Sequence, residues 1–379
     1  MPTPKISNLN AKPLPLIGIL GDGQLAMMMT QAYQAMGGKT IVFAERAGGP
    51  ASKVADQLII GSSNSIEDLT EFFKQADIVT LENEFIDSQL LIDASTQSDT
   101  QLAPHPARYQ LIEDKLSENL FFESLDINIA DFFEVSNARD LVDKSGYLKL
   151  AKGGYDGIGT YKVRNIKQAT KVFEKIKNSG TVLFEYAVDF KKELSLIAVA
   201  NSNDIIFYPL FETHQQDGTC RYVSYPSGVS AEVERSAQNQ VKKIMQALNT
   251  RGLFAFEFFL DQDDKLVLNE SAPRPHNSGH ITLDLMDCSQ FENHMRAVAD
   301  LPLIEPFAKH QSMLMANLLG TRNGPFCEDQ IMAQITDENL SFTFYNKQES
   351  RVKRKMGHVN LWGAEQKRRA DHLIENLVI

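Results

Sequence analysis

Residues 269–280 read NESAPRPHNSGH and follow directly on the apolar run Leu266–Leu268. An amide, a carboxylate, a guanidinium and two imidazoles in one short loop are ligand-type groups that an ordinary core would exclude. His276 and His280 suggest zinc, but Pro273 and Pro275 forbid the helix on which two histidines would share a metal. Carboxylate and amide oxygens favour magnesium over zinc. Arg274 suits a planar anion, because its guanidinium meets carboxylate or phosphate in a two-point fork. Glu270 has a counterpart in Glu257, within FAFEFFL. Each acid interrupts an apolar strand and must be ligated or paired to be tolerated there. A tight hairpin through DQDD with an even-numbered loop sets Glu257 opposite Leu268, with Glu270 diagonal to it. Diagonal neighbours lie roughly 7–8 Å apart, close enough for two carboxylates to share one hard cation. The plainer alternative is a pair of glutamates salt-bridged to lysines on a half-exposed face.

Three other stretches carry chemistry-bearing patterns. KGGYDGIG (152–159) lies between two apolar runs. Its glycines allow backbone N–H groups to fold over a phosphate and allow the loop to close against water, with Lys149 upstream as a point charge. A glycine-rich hairpin with a solvated lysine would read the same way. GDGQLA (21–26) opens a helix after a strand, and Glu45 ends the next strand. That is the outline of a nicotinamide-dinucleotide site, or equally of any tight strand-to-helix turn, and Asp22 is a poor neighbour for a pyrophosphate. RVKRKMGH (351–358), with Lys347 before it, is either a phosphate site or a solvated basic face.

The elements that must position these residues follow from hydrophobic periodicity. Strand-like LIGIL, TIVFAE, DQLII and DIVTLE alternate with helical GQLAMMMTQAYQAM and IEDLTEFFKQ over the first hundred residues, predicting a parallel doubly wound sheet. HPARYQLIEDKLSENLFFESLDI reads as a boundary and then a helix. From residue 147 strands dominate, implying a largely antiparallel sheet, with one amphipathic helix over 231–248. After 306 comes a small tail with strand-like SFTFYN. At 379 residues the chain calls for two or three domains. A net charge of −11 argues against general nucleic-acid binding. Three scattered cysteines, Cys220, Cys288 and Cys327, form neither a zinc knuckle nor a disulfide framework, so a reducing cytoplasm is expected. No apolar run is long enough for a signal peptide or a membrane span.

PLIGILGDGQL, GGYDGIG, FKKELSLIA, NESAPRPHNSGH, SQFENHMRAV and RKMGHVNL together give a chain that closely resembles the ATP-grasp ligases. Within them it resembles the branch that carboxylates 5-aminoimidazole ribonucleotide. The resemblance implies an α/β and α+β multidomain protein: a Rossmann-like pre-ATP-grasp domain over 1–110, an ATP-grasp domain over 111–305 and a small C-terminal domain over 306–379. It implies that ATP phosphorylates bicarbonate to carboxyphosphate, whose carboxyl group passes to the ribonucleotide's exocyclic amine. Carried over motif by motif, Lys115, Lys149, Gly154, Tyr155, Asp156, Gly157, Gly159, Thr160, His214, Gln215, Asn269 and Glu270 would meet ATP. Glu185, Tyr186, Ala187 and Val188 would form the adenine hinge, and Glu193 would take the ribose. Glu257 and Glu270 would hold Mg2+. Gln24, Leu25, Glu82, Asn277, Lys347, Arg354 and Lys355 would form the ribonucleotide site, the last three on its phosphate, and Asp156 and Arg274 would lie at the carboxyl-transfer point. A cytoplasmic homodimer is implied. The chain differs from the family pattern at Asp22, Ala26, Met27, Asn119, Ile158, Thr160, His214 and Gln215. A related ATP-grasp ligase for another ribonucleotide, or a nucleotide-binding regulator without turnover, are the alternatives.

Overall fold

The computed structural model describes residues 13–84, 86–153, 159–216, 218–332, 338–377 and 379. In the N-terminal unit β1 (Leu16–Leu20), α1 (Gln24–Ala35), β2 (Lys39–Ala44), β3 (Gln57–Ile60), α2 (Ile66–Lys74), β4 (Ile78–Leu81), α3 (Ser88–Ser98) and β5 (Gln101–Leu102) build a parallel sheet in the order β3-β2-β1-β4-β5. β1 is apolar throughout because both faces are covered. Ile17 and Ile19 pack with Met27, Met28 and Met29 of α1, while Leu20 packs with Phe72 and Phe73 of α2. Gly18 permits the second contact: a Cβ there would lie 2.9 Å from Phe72 Cζ.

Where the sequence suggested one helix after the boundary, there are two, α4 (Pro106–Ile112) and α5 (Lys115–Ser124). Asp114 breaks the run and caps the second, accepting a hydrogen bond from Ser117 N at 3.0 Å. Next, β6 (Phe132–Glu134), β7 (Gly146–Leu150), β8 (Thr160–Val163) and β9 (Val182–Tyr186) form a small antiparallel sheet in the order β6-β9-β7-β8. α6 (Ile166–Ile176) backs it with Ala169, Phe173 and Ile176, one face of a helix.

The central sheet takes β10 (Phe190–Ala200), β11 (Ile205–Phe207), β12 (Phe211–Gln216), β13 (Thr219–Tyr225), β14 (Gly252–Asp261) and β15 (Leu266–Ala272). α7 (Ala231–Leu248) lies over the predicted range and lays Val233, Ala237, Val241, Ile244 and Leu248 on Phe254, Phe256 and Phe258 of β14. Beyond the loop 273–281 come α8 (Thr282–Leu285) and α9 (Gln290–Val298), then β16 (Met313–Leu319), β17 (Gly324–Pro325), α10 (Glu328–Met332), β18 (Leu340–Phe344), β19 (Glu349–Ser350), β20 (Lys355–Trp362) and α11 (Gln366–Asn376). The central sheet runs β15-β14-β10-β12-β13-β16-β20-β18, with β11 on β10. The C-terminal segment therefore continues this sheet through β13–β16 pairs such as Tyr222↔Ala316. Sequence reasoning found only β18 there. MLMANLL is the continuous apolar run of a buried strand, and the basic residues leading into β20 hid the apolar ones behind them. Among the described residues no helix is long and apolar enough to cross a membrane.

Candidate active site

The β14–β15 hairpin closes through Asp261 and Lys265, with Asp264 in the left-handed region (φ 63°). Phe258 then faces Leu268, but Glu257 faces Glu270. Asn269 is the extra residue of a β-bulge. The diagonal placement expected from the sequence is thus corrected: the bulge moves Glu270 along the ladder until the two acids are direct partners. Lys115, the first residue of α5, reaches Glu270 Oε2 at 3.2 Å and Glu118 Oε2 at 2.9 Å. Glu118 is buried and also accepts from Ser271 N and Oγ at 3.0 and 2.6 Å. It fixes both the lysine and the chain after Glu270. The two acids are held in opposite states: Lys115, and then Lys149, keep the Glu270 carboxyl low, whereas burial and the charge of Glu270 push Glu257 up.

Around this pair lie the other nucleotide candidates. Lys149 on β7 reaches Glu185 Oε1 on β9 at 2.6 Å. Tyr186 and Ala187 leave that strand, donating from their backbone N–H groups to Asp131 O and Ser145 O at 2.9 and 3.2 Å, with Ala187 exposed and Val188 half-buried. Glu193 on β10 is pushed up by burial while Gln215 donates to it. His214 stands opposite Tyr222 and Gln215 opposite Cys220, with a bulge between them, and burial lowers His214. Gly154, Tyr155, Asp156 and Gly157 lie outside the described residues. Their flanks are described: Gly153 and Gly159 adopt φ of +76° and +78°, and Thr160 pairs with Lys149.

Gln24 and Leu25 start α1, and there the dinucleotide reading fails. Glu82, at the end of β4, accepts from Gly23 N at 2.5 Å and Leu25 N at 3.2 Å, so a carboxylate of the chain itself occupies the helix N-terminus a pyrophosphate would need. Glu45 accepts from Ser63 Oγ at 2.8 Å. Burial raises Glu82, and its charge acts on Lys347 of the C-terminal segment. Lys347 donates to Lys355 O at 2.6 Å, and burial and then Arg354 lower it to about 8. Arg354 is itself lowered by burial, then Arg351, and by Arg46 after β2. The basic run is therefore a cluster facing the N-terminal unit, with Arg46 a member that sequence spacing could not reveal.

The loop 273–281 closes the site. Arg274 makes a two-point ion pair with Glu84, Nη2 to Oε1 at 2.8 Å and Nε to Oε2, across 190 positions of sequence. His276 stands with Nε2 3.6 Å from Glu257 Oε1, its Nδ1 2.8 Å from Ser278 Oγ, which meets Ser195 Oγ at 2.7 Å. Burial, with Arg274 and Lys355 nearby, drops His276 to about 4, so the imidazole is neutral. Gln290 of α9 clamps the loop, accepting from His276 N at 3.0 Å and donating to His276 O at 2.7 Å. Gly279 permits this, since a Cβ there would lie 2.2 Å from Gln290 Oε1. Asn277 pairs with Asn317. Glu84, Glu118 and Asn317 were not singled out from sequence, and His276 was considered there only as a zinc ligand.

Three family descriptions match consecutive parts of the chain. The ribonucleotide synthetase preATP-grasp domain matches 14–113, the ATP-grasp domain 120–291 and the phosphoribosylaminoimidazole carboxylase C-terminal domain 313–372. The N5-carboxyaminoimidazole ribonucleotide synthase of Brucella melitensis is 32% identical over 358 residues, covering 92% of this chain and 96% of the relative. The Staphylococcus aureus N5-carboxyaminoimidazole synthetase complexed with ADP superposes with a TM-score of 0.86 at 28% identity, covering 97% of this chain and 98% of that one. The Aspergillus clavatus synthase, solved with ADP and 5-aminoimidazole ribonucleotide, superposes with a TM-score of 0.85 at 26% identity, covering 96% and 97%. With its facing acid pair and its basic cluster arranged on that shared fold, this chain belongs to the N5-carboxyaminoimidazole ribonucleotide synthase family of ATP-grasp ligases.

Proposed function

We propose that the chain uses ATP and bicarbonate to carboxylate 5-aminoimidazole ribonucleotide in purine biosynthesis, through carboxyphosphate, releasing ADP and phosphate. One observation supports the assignment to residues: Lys355 of the basic cluster acts electrostatically on Glu257 and, with Arg274, on His276, so the C-terminal segment meets the acid pair and the loop that follows it. Phosphoryl transfer needs alignment and charge neutralisation rather than a protein nucleophile. Lys115 and Lys149 are suited to the ATP phosphates, Glu185–Val188 to adenine and Glu193 to the ribose. Lys347, Arg354 and Lys355 suit the phosphate of the ribonucleotide, with Gln24, Leu25, Glu82 and Asn277 around its remainder. Arg274, its fork held by Glu84, is suited to set a fixed positive charge beside bicarbonate or carboxyphosphate, and Asp156 is the sequence candidate to act with it. Carboxyphosphate is labile in water, and the glycine-rich sequence over 152–159 is the stretch suited to shield it.

Mg2+ fits the acid pair. Among the described residues no group of three or more acids, histidines or cysteines could hold a metal. Two facing carboxylates suit a cation that completes its shell with phosphate oxygens and water. When bound, it would neutralise charge on the transferred phosphoryl group. We also infer domain bounds of 1–110, 111–305 and 306–379 and a cytoplasmic homodimer, whose oligomeric state sedimentation would test.

The test is ADP release with Mg2+ and bicarbonate, with and without the ribonucleotide, repeated for Glu270→Gln. Stimulation by the ribonucleotide, lost in the variant, supports the reading. ADP release indifferent to the ribonucleotide assigns another acceptor. ATP binding without turnover makes the chain a regulator.

A further inference from the structure

Asn317 lies in the middle of β16, fully buried, on a strand that sequence reasoning did not find. Its amide and that of Asn277 exchange two hydrogen bonds: Asn277 Nδ2 donates to Asn317 Oδ1 at 2.9 Å, and Asn317 Nδ2 donates to Asn277 Oδ1 at 2.7 Å. Two amides alone could close such a ring in either sense, because exchanging N and O on both leaves the pattern intact. A third contact removes that freedom. Asn317 Nδ2 also donates to the backbone carbonyl of Cys220 at 2.9 Å, and a carbonyl can only accept. The NH2 of Asn317 must therefore point at Cys220, and the amide of Asn277 has one sense left. The backbone just before Asn277 is pinned from the other side by Gln290, which bonds both N and O of His276.

We propose that Asn317 is a positioning residue for the ribonucleotide: it presets which donor and which lone pair Asn277 turns toward the substrate. The inference rests on the reading of Asn277 as a substrate contact. The half-buried Asn277 amide has one N–H and one oxygen lone pair beyond the ring, enough for one donated and one accepted bond. Fixing their sense before the substrate arrives removes an ordering cost from binding. It also explains why the C-terminal segment is built into the central sheet: β16 and β20 pair at Asn317↔His358, so the strand that orients the amide is bonded to the strand that begins at Lys355 of the phosphate cluster.

Steady-state kinetics of Asn317→Ala, Asn277→Ala and the double variant test this, with thermal unfolding as a control for folding. Asn317→Asp is the second probe: it keeps the shape but cannot donate to Cys220 O or Asn277 Oδ1. Asn317→Ala and Asn317→Asp should raise KM for the ribonucleotide about tenfold, the worth of one well-placed hydrogen bond. KM for ATP and kcat should stay within about twofold, as loss of ground-state binding alone requires. The double variant should be no worse than Asn277→Ala, because Asn317 acts through Asn277. Additive losses, or a parallel fall in kcat and in ATP affinity, overturn the proposal in favour of a general packing role. If Asn277→Ala leaves KM for the ribonucleotide unchanged, the substrate reading of Asn277 fails. If it raises KM while neither Asn317 variant does, the positioning claim fails by itself.

Discussion

Glu257 and Glu270 stand directly across the β14–β15 ladder, brought face to face by the bulged Asn269, with Lys115 3.2 Å from Glu270. Two carboxylates so placed repel unless a proton or a cation lies between them. Glu270→Gln should lower ADP release on the order of a hundredfold or more, as loss of a preorganised charge partner does. Chelation of divalent metal should do the same to the unaltered protein. Glu257→Gln should be as inactive, yet without metal its melting temperature should rise by about 2 °C as the repulsion is relieved. A Glu257→Gln protein with full activity would remove that residue from the metal site.

Arg274 and Glu84 couple the N-terminal unit to the loop 273–281 by a partly buried two-point pair. Glu84→Ala strands the guanidinium, so stability should fall by about 2 kcal/mol, short of the loss at fully buried pairs. Arg274→Lys should retain the fold and lose turnover, since a lysine cannot make the two-point pair with Glu84 that fixes the charge in place. Thermal unfolding and ADP release separate the two effects.

Lys347 gives a pH dependence with a definite sign. Its amine is lowered to about 8, by burial first and by Arg354 second, and only the protonated form attracts phosphate. For the free enzyme, kcat/KM for the ribonucleotide should therefore fall as pH rises through about 8, whereas kcat at saturation should change less. In the unfolded chain this lysine keeps its proton to higher pH than in the folded one. Its unfavourable contribution to stability is present below about 8 and fades as pH rises from there toward the ordinary lysine range. Lys347→Arg should abolish the inflection.

Gly153 and Gly159, both with positive φ, flank the stretch proposed to meet the ATP phosphates. Alanine at either position should cost about 1 kcal/mol in a left-handed backbone and impede closure. KM for ATP should rise in both variants, while KM for the ribonucleotide holds. An unchanged KM for ATP would mean that the loop does not close on the nucleotide.

The individual elements were legible because each writes its own period. The alternating first hundred residues announced the parallel sheet, 231–248 announced α7, and two acids inside apolar strands announced a site that must be paired. Those signals are local, set by which side chains a strand or helix must bury. What spacing could not reveal depends on contacts made across the fold. A single bulged residue decided that Glu257 meets Glu270 rather than Leu268, since turn geometry alone does not specify a bulge. Glu82 became the cap of α1, and so closed the apparent dinucleotide site, because β4 ends beside Gly23, 59 positions away in sequence. Arg46, Glu84 and Asn317 sit in stretches with no motif of their own. They join the site because the N-terminal sheet and the C-terminal strands pack on either side of one loop, and local sequence does not encode that distance.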